Sequence, residues 1–491
     1  MKAASEFQTL SLASIEKIPI HARPLIDPRS LQPKVLHFGL GAFHRAHQAV
    51  YTERSNLESS QTWGIIDIAP TSTESVEAMK SQDCLYSVTE RATESSTTHV
   101  VGSVIDALHL KKNFENIIDH FKSDQISNLT MTITEKGYYR DSETRRLKLS
   151  ANEISCDLDS TQSNNKMTTV VGTVAYGLLS RFRNSGAPIN LISCDNMTEN
   201  GIALSNVIGD FIRESSWVDK GQLLEWMSRS VAFPSTVVDQ IVPPTTSDDR
   251  KAVAGELGFY DEMAVFGEPY RQWVLEDCFV APRPQWELAG AQIVQDAAPY
   301  QLLKLRLLNG SHSMLAYLGL ASGLTTISET LESPWGEKLL RAYALEVAPT
   351  LTISAEAITN YVNALVTRFS NPAMKHQLQV IGSDGTLKLP ERLLGSIRSL
   401  IELQKDSYIT ELAVAGWVNA TKANSSGQQQ FGTTDPLAAK TAQCWINKKD
   451  SSEVVRSLLQ VIGASDLSLS EKFVSGVVSQ MDALSKGQIQ L

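Results

Sequence analysis

One short apolar run that drops straight into closely spaced glycines constrains this chain most: Pro33-Lys-Val-Leu-His-Phe-Gly39-Leu-Gly41-Ala-Phe43-His44-Arg-Ala-His47. The apolar part predicts a strand, Gly39 allows a tight strand-to-helix turn, and Gly41 lets the backbone approach a pyrophosphate where the next helix begins. The third glycine of the usual fingerprint is missing and His44 stands in its place, so a plain glycine turn is the alternative for this segment alone. A second apolar run, Trp63-Gly-Ile-Ile-Asp67-Ile, follows at about the spacing of a second sheet strand and carries an acid near its end. A carboxylate there accepts from a ribose 2′-hydroxyl and repels a 2′-phosphate, which favours NAD over NADP. Asp67 also reads as a solvated strand-end carboxylate, with Ala69 to Ser72 shaping the ribose pocket instead.

Apolar runs recur up to about residue 245: Val35 to Phe38, Gly64 to Ile68, Leu129 to Thr134 and Ile189 to Ser193, each followed by polar turns or helix-compatible stretches. Such alternation predicts a mostly parallel sheet covered by helices, an α/β Rossmann-like doubly wound domain. The polar stretch Ser150 to Met167 reads as a surface loop, and Asn424 to Pro436 as another. After Pro299 long helical patterns take over, over Leu302–Ala321, Glu337–Glu346 and Ser354–Phe369. A chain of 491 residues exceeds what one core usually supports. The expected organisation is a nucleotide domain over 1–295 and a mainly α-helical substrate domain over 296–491, with the active site between them.

A net charge of −10 argues against a nucleic-acid partner, because such surfaces neutralise phosphates with basic patches. An anionic ligand would then need a local basic cluster. The five cysteines, Cys84, Cys156, Cys194, Cys278 and Cys444, have no metal-ligand spacing and suggest reduced thiols in the cytoplasm. The N-terminus lacks the continuous apolar core of a secretory signal, and no run is long enough to cross a bilayer. A monomer or small homo-oligomer is expected.

Within Gln301-Leu-Leu-Lys304-Leu-Arg-Leu-Leu-Asn309-Gly-Ser-His312, three polar groups interrupt a leucine-rich helical pattern. At about 100° per residue, Lys304, Asn309 and His312 fall within an arc of roughly 140° and can face one cavity. A lysine, an amide and an imidazole together can polarise and protonate a carbonyl oxygen. Taken alone, the same residues fit a snorkelling lysine, a helix-interrupting Asn-Gly and a satisfied core histidine.

Five motifs in order, Gly39 to His47, Thr134-Glu135-Lys136-Gly-Tyr138, Ser193-Cys-Asp-Asn-Met-Thr-Glu-Asn200-Gly201, Phe233-Pro-Ser-Thr-Val-Val-Asp239 and Lys304 to His312, resemble the mannitol dehydrogenase family of polyol-specific long-chain dehydrogenases. The resemblance spans nearly the whole chain. It implies NAD as cofactor, held by Gly39, Gly41, Phe43, His44, Asp67, Glu135 and Lys136, and a reaction without a metal. It places Asn200 in the substrate pocket with Lys304, although Asn200-Gly201 alone reads as a turn and Asp239 as a strand-end cap. The stretches Arg368-Phe-Ser-Asn-Pro-Ala-Met-Lys375-His376 and Asp384-Gly-Thr-Leu-Lys388-Leu-Pro-Glu-Arg392 most resemble the fructuronate reductase subfamily. That implies reduction of D-fructuronate to D-mannonate, with neutral fructose and mannitol, or tagaturonate, as alternative substrates. A non-catalytic NAD-binding sensor on the same fold is the alternative of another class.

Hydride reaching a ketone leaves charge on oxygen, which prepositioned donors stabilise; Asn200 and Asn309 are the candidates. A desolvated lysine can titrate near neutrality, so Lys304 is the candidate general acid and base. His312 is assigned to positioning. Asp239, His376, Lys388 and Arg392 are the candidate substrate-binding groups, the last three as a basic cluster for a carboxylate together with Lys375. One departure stands out: family members often carry a glutamate three residues before the lysine, where this chain has Gln301, which cannot relay protons.

Overall fold

The computed structural model describes residues 7–141, 143–162, 166–374, 376–423, 428–446, 450–485 and 489, and the chain divides into two compact units, Met1–Ala298 and Pro299–Leu491. Lys375 lies outside the described residues. The first unit carries twelve strands among its described residues: β1 (Gln32–Phe38), β2 (Trp63–Ala69), β3 (Tyr86–Arg91), β4 (Ser96–Val101), β5 (Val104–His109), β6 (Asn128–Met131), β7 (Ile189–Ser193), β8 (Val231–Ala232), β9 (Thr236–Asp239), β10 (Val265–Gly267), β11 (Gln272–Glu276) and β12 (Gln292–Val294). Six of them form a parallel sheet in the order β5-β2-β1-β6-β7-β8, the strand order of a dinucleotide-binding doubly wound fold. The other six make two three-stranded sheets, β10-β3-β4 and β12-β11-β9.

Every residue of β2 and β7 is buried, because helices cover both faces of the sheet, and this is why the strands read as apolar runs rather than alternating ones. On one face α2 (Gln48–Ser59), which follows the five-residue α1 (Ala42–Ala46), and α3 (Thr73–Ser81) bring Ala49, Val50, Val76 and Met79 against Val35, Ile65 and Ala107. On the other, α4 (Phe114–Lys122), α6 (Val170–Asn184) and α7 (Asn200–Glu214) bring Phe121, Leu178 and Phe211 against Phe38, Leu129 and Leu191.

The stretch expected to be a polar loop contains instead a helix, α5 (Asn152–Ser160). Its inward face is only Ile154 and Asp157, too sparse for an apolar period to show. Asp157 is fully buried and accepts hydrogen bonds from the backbone and hydroxyl groups of Thr168 and Thr169.

The second unit is helical. The expected helix over Leu302–Ala321 is continuous but not regular: α8 (Ala298–Leu303) runs into a π-helical stretch, Lys304–Asn309, before α9 (Gly310–Ala321). In the π turn Gly310 N–H reaches back to the Leu305 carbonyl, five residues away. Two carbonyls of this stretch also accept from side chains: the Tyr343 hydroxyl donates to Arg306 O at 2.8 Å, and Ser311 Oγ donates to Leu307 O. A second π stretch, Pro390–Leu394, interrupts the helical run Gly385–Glu402 where proline has no N–H to give. The two π turns meet at Gly310, since a Cβ there would stand 3.1 Å from the Arg392 carbonyl oxygen. Among the described residues no helix is long and apolar enough to cross a membrane.

Candidate functional site

The carboxyl edge of the parallel sheet is where doubly wound folds bind their ligands, and the glycine turn after β1 lies there. Gly39 has φ +121°, a conformation that side chains rarely adopt, and a Cβ on it would collide with the Thr132 carbonyl at the end of β6. Gly41 caps α1, and a Cβ there would meet nothing nearer than the Gly39 carbonyl at 3.9 Å. The two glycines therefore do different work: the first packs against backbone, while the second leaves open the space a dinucleotide pyrophosphate would fill. The N–H groups of Gly39 and Gly41 are bonded to the Ile68 and Gly39 carbonyls, so what these two glycines offer NAD is room for close backbone approach.

His44 and Asp67 are not placed to touch a cofactor. Both are fully buried, with His44 Nε2 2.9 Å from Asp67 Oδ1. The His44 ring stacks on His37 of β1 at 3.4 Å with 13° between planes. A flat imidazole sandwich thus replaces the third glycine as the means of packing helix against strand. Burial pushes the Asp67 carboxyl up to about 7 and the His44 imidazole down to about 3. Asp67 points into this packing because its side chain emerges on the inner side of β2, short of the strand end. An exposed acid near that end is Glu74, in the first turn of α3, a candidate that sequence alone did not single out. Its carboxylate accepts from Ser72 Oγ at 3.2 Å. Its own backbone N–H and Ser72 hold its pKa low, with Lys112 and His109 adding to the effect. The available signal was the strand break at Pro70 followed by the Ser72 N-cap. Phe43 is half-buried and stacks on His47 at 5.0 Å.

Beyond β6, Glu135 and Lys136 are exposed on a single 3₁₀ turn, Glu135–Tyr138. Asp239 closes β9, buried and paired with Gln272 of β11. Asn200, expected as an oxyanion donor, is 1% exposed and already committed. Its Nδ2 donates to the carbonyls of Asp195 (3.0 Å) and Thr236 (3.1 Å), and its Oδ1 accepts from Thr236 N–H (2.8 Å). With both amide hydrogens given to backbone, Asn200 braces the start of α7 against β9 instead of offering a donor. The exposed asparagine of the same run is Asn196, just past the carboxyl end of β7; sequence alone gave no means of ranking the two.

In the second unit, Lys304 and Asn309 bound the π stretch and both are partly exposed. His312 follows on α9 with its ring stacked on Phe369 at 5.1 Å and tilted toward His376 at 5.6 Å. Its Nε2 is buried. Burial, reinforced by His376, Arg392, Arg368 and Lys388, holds its pKa well below the ordinary value, so the imidazole is neutral. Arg392 donates to Ser313 Oγ at 3.1 Å. Lys388 spends part of its donor capacity at home, on the carbonyls of Ile381 (3.2 Å) and Ser383 (2.6 Å). The structure therefore brings His312, His376, Lys388 and Arg392 near one another and adds Arg368, which the sequence does not single out; Asp384, 4.0 Å from Lys388 Nζ, offsets part of this positive charge. No group of three or more His, Cys, Asp or Glu side chains is arranged to hold a metal among the described residues.

Comparison with known proteins gives this geometry a family. Residues 33–288 match the Mannitol dehydrogenase Rossmann domain and residues 296–485 the Mannitol dehydrogenase C-terminal domain. The chain is 36% identical over 475 residues to the D-mannonate oxidoreductase of Escherichia coli, covering 94% of this chain and 95% of that one. It is 31% identical to mannitol dehydrogenase 2 of Saccharomyces cerevisiae, covering 99% and 96%. The structure of Pseudomonas fluorescens mannitol 2-dehydrogenase, a ternary complex with NAD and D-mannitol, superposes with a TM-score of 0.80 at 30% identity, covering 98% and 97%. With a match to each half of the fold and relatives spanning nearly its full length, the chain belongs to the mannitol dehydrogenase family of NAD-dependent oxidoreductases.

Proposed function

We propose that the chain reduces the keto group of a sugar acid, D-fructuronate to D-mannonate, in the cytoplasm, with residues 1–295 serving NADH and 296–491 serving the substrate. The observation that carries this reading is the electropositive region around His312. In a chain of net charge −10, Arg368, Lys388 and Arg392 all bear on one neutral imidazole. Arg368 is buried and Lys388 and Arg392 partly so; gathering them costs desolvation and mutual repulsion, which Asp384 beside Lys388 offsets in part and an anionic substrate offsets further through charge-assisted hydrogen bonds. The 36% identity to D-mannonate oxidoreductase supports the same substrate.

NADH, when bound, supplies the hydride. The backbone around Gly39 and Gly41 holds its pyrophosphate, and Glu74 is the acid that favours an unphosphorylated ribose. Lys304 gives its proton to the developing alkoxide. Asn309 donates to the same oxygen, and within the nucleotide unit the donor role expected of Asn200 passes to Asn196. His312, held neutral, offers Nε2 to a substrate hydroxyl, while Arg392 binds the carboxylate. Glu135, Lys136 and Phe43 line the approach to the nicotinamide, and Asp239 orients a sugar hydroxyl.

Arg392→Met should raise KM for fructuronate by about tenfold or more, the scale of one lost charge-assisted contact, and leave any activity on fructose unchanged. Steady-state NADH oxidation with fructuronate, tagaturonate and fructose checks it. A wild-type enzyme that uses fructose or mannitol and ignores uronates would instead establish a mannitol 2-dehydrogenase, the reading favoured by the similarity to the mannitol complex.

A further inference from the structure

Thr134 has φ 62° and ψ 159°, a region of backbone space that is essentially glycine's own and that persists only where surrounding structure over-determines it. What holds it is one carboxylate. Asp195, 7% exposed just past β7, accepts from Thr134 N–H at 2.8 Å through Oδ1 and from Ile133 N–H at 3.0 Å through Oδ2. The Tyr138 hydroxyl donates to the same Oδ2 at 2.7 Å and lies 2.6 Å from Ser193 Oγ. The carboxylate thus pins both ends of the turn that leaves β6, from Ile133 to Tyr138. Burial raises the Asp195 pKa, opposed by these same donors. Thr132, which enters the turn, is also the residue whose carbonyl excludes a side chain at Gly39, and its hydroxyl lies 3.0 Å from His37 Nε2. The strained turn and the glycine turn are therefore in direct register at the carboxyl ends of β6 and β1. In a doubly wound sheet of this order a dinucleotide crosses that edge, with the nicotinamide half on the β6 and β7 side.

We propose that Asp195 is a positioning residue for hydride transfer: it holds the Thr134 turn in its strained form so that the turn fixes the nicotinamide ring against the substrate. The inference rests on NAD binding at the sheet edge and goes beyond it by separating binding from ring alignment. A small misplacement of reacting partners costs rate far more than affinity. The turn meets only one end of the cofactor, so the pyrophosphate and adenosine ends keep most of the binding energy.

The test uses the full-length enzyme and reads NADH affinity by fluorescence titration and hydride transfer by single turnovers with NADH and its 4-deuterated form. Asp195→Asn should slow hydride transfer by about tenfold or more while NADH Kd stays within about threefold. Adding Thr134→Gly, which needs no restraint to adopt the same backbone form, should restore most of the rate. A rescue by glycine is not expected of a carboxylate that merely braces the fold. If Asp195→Asn does not fold, Tyr138→Phe carries the test, with a smaller slowing rescued by the same glycine. An Asp195→Asn or Tyr138→Phe enzyme with native hydride transfer, or a loss that glycine leaves untouched, overturns the proposal. Loss of NADH affinity in step with rate would also overturn it, by placing the defect in cofactor binding itself.

Discussion

Gly310→Ala puts the π turn beside Lys304 to a quantitative test. The added methyl would collide with the Tyr343 hydroxyl oxygen and stand 3.1 Å from both Tyr343 Cζ and the Arg392 carbonyl oxygen. The hydroxyl of the fully buried Tyr343 must move, and it cannot do so without giving up its part-buried bond to Arg306 O, 2.8 Å away. Losing that bond costs about 0.5–1.5 kcal/mol net, and overpacking adds about 1–3 kcal/mol. Replacing glycine by alanine within a helix returns up to about 1 kcal/mol. The expected net is a destabilisation of about 0.5–4.5 kcal/mol. Tyr343→Phe loses the same bond, at about 0.5–1.5 kcal/mol. It also removes the atom that the new methyl would strike, so the two costs should not add. The double variant should be at least about 1 kcal/mol more stable than the sum of the singles predicts. Urea unfolding of the four proteins, followed through the transition of the helical unit, measures the coupling. Single-turnover hydride transfer should fall in Gly310→Ala and partly recover in the double variant, because the π turn sets where Lys304 and Asn309 point. Additive costs within about 0.3–0.5 kcal/mol would refute the account of the π turn.

Three further expectations concern the chemistry. Lys304→Ala should slow hydride transfer by about 10²–10⁴-fold, the usual worth of a general acid, with NADH affinity nearly intact; normal single turnovers would remove the lysine from the mechanism. Gly41→Ala should leave the melting temperature unchanged, since its Cβ meets nothing nearer than 3.9 Å, yet weaken NADH binding by about tenfold or more by filling the phosphate cradle; unchanged affinity would move the pyrophosphate elsewhere. His312 is held neutral by burial and the cations around it, so its folded pKa lies below that of the unfolded chain. Below about pH 6.5 the unfolded state takes up a proton that the folded state refuses. The stability from keeping His312 neutral is therefore present above that pH and lost as pH falls, by about 1.4 kcal/mol per unit for one such group. His312→Gln should flatten the fall in melting temperature between about pH 7 and 5, and an unchanged slope would show that the ring is free to protonate.

The strands around the nucleotide edge are readable because parallel strands buried on both faces leave long apolar runs, as β2 and β7 do. What a side chain on such a strand faces is not. Asp67 and His44 look like ligand groups when only types and spacing are known. Whether they meet a ribose or each other depends on how far β2 continues and how closely α1 packs on it, which residues distant in sequence decide. Asn200 escapes a sequence reading for the same reason. Its amide is consumed by the carbonyls of Asp195 and Thr236, and nothing in the local run says that β9 will arrive there.

The helical unit shows where periodicity stops being a guide. Counting 100° steps from Lys304 to His312 assumes an unbroken i to i+4 ladder, yet Lys304–Asn309 is π-helical, and two of its carbonyls also accept from the Tyr343 and Ser311 hydroxyls. Tyr343 can reach Arg306 only because residue 310 is glycine. In the sequence that glycine reads as a helix interruption beside Asn309; in the fold it is the contact that lets the π turn form. Pro390 does the same for the turn that carries Arg392, by withholding an N–H. Each widened turn carries polar groups proposed to meet the substrate, with Lys304 and Asn309 on one and Arg392 on the other. Departures from the regular helix therefore coincide with the proposed chemistry, as π insertions commonly do at functional sites. An ideal helix would have to spend its backbone groups on itself.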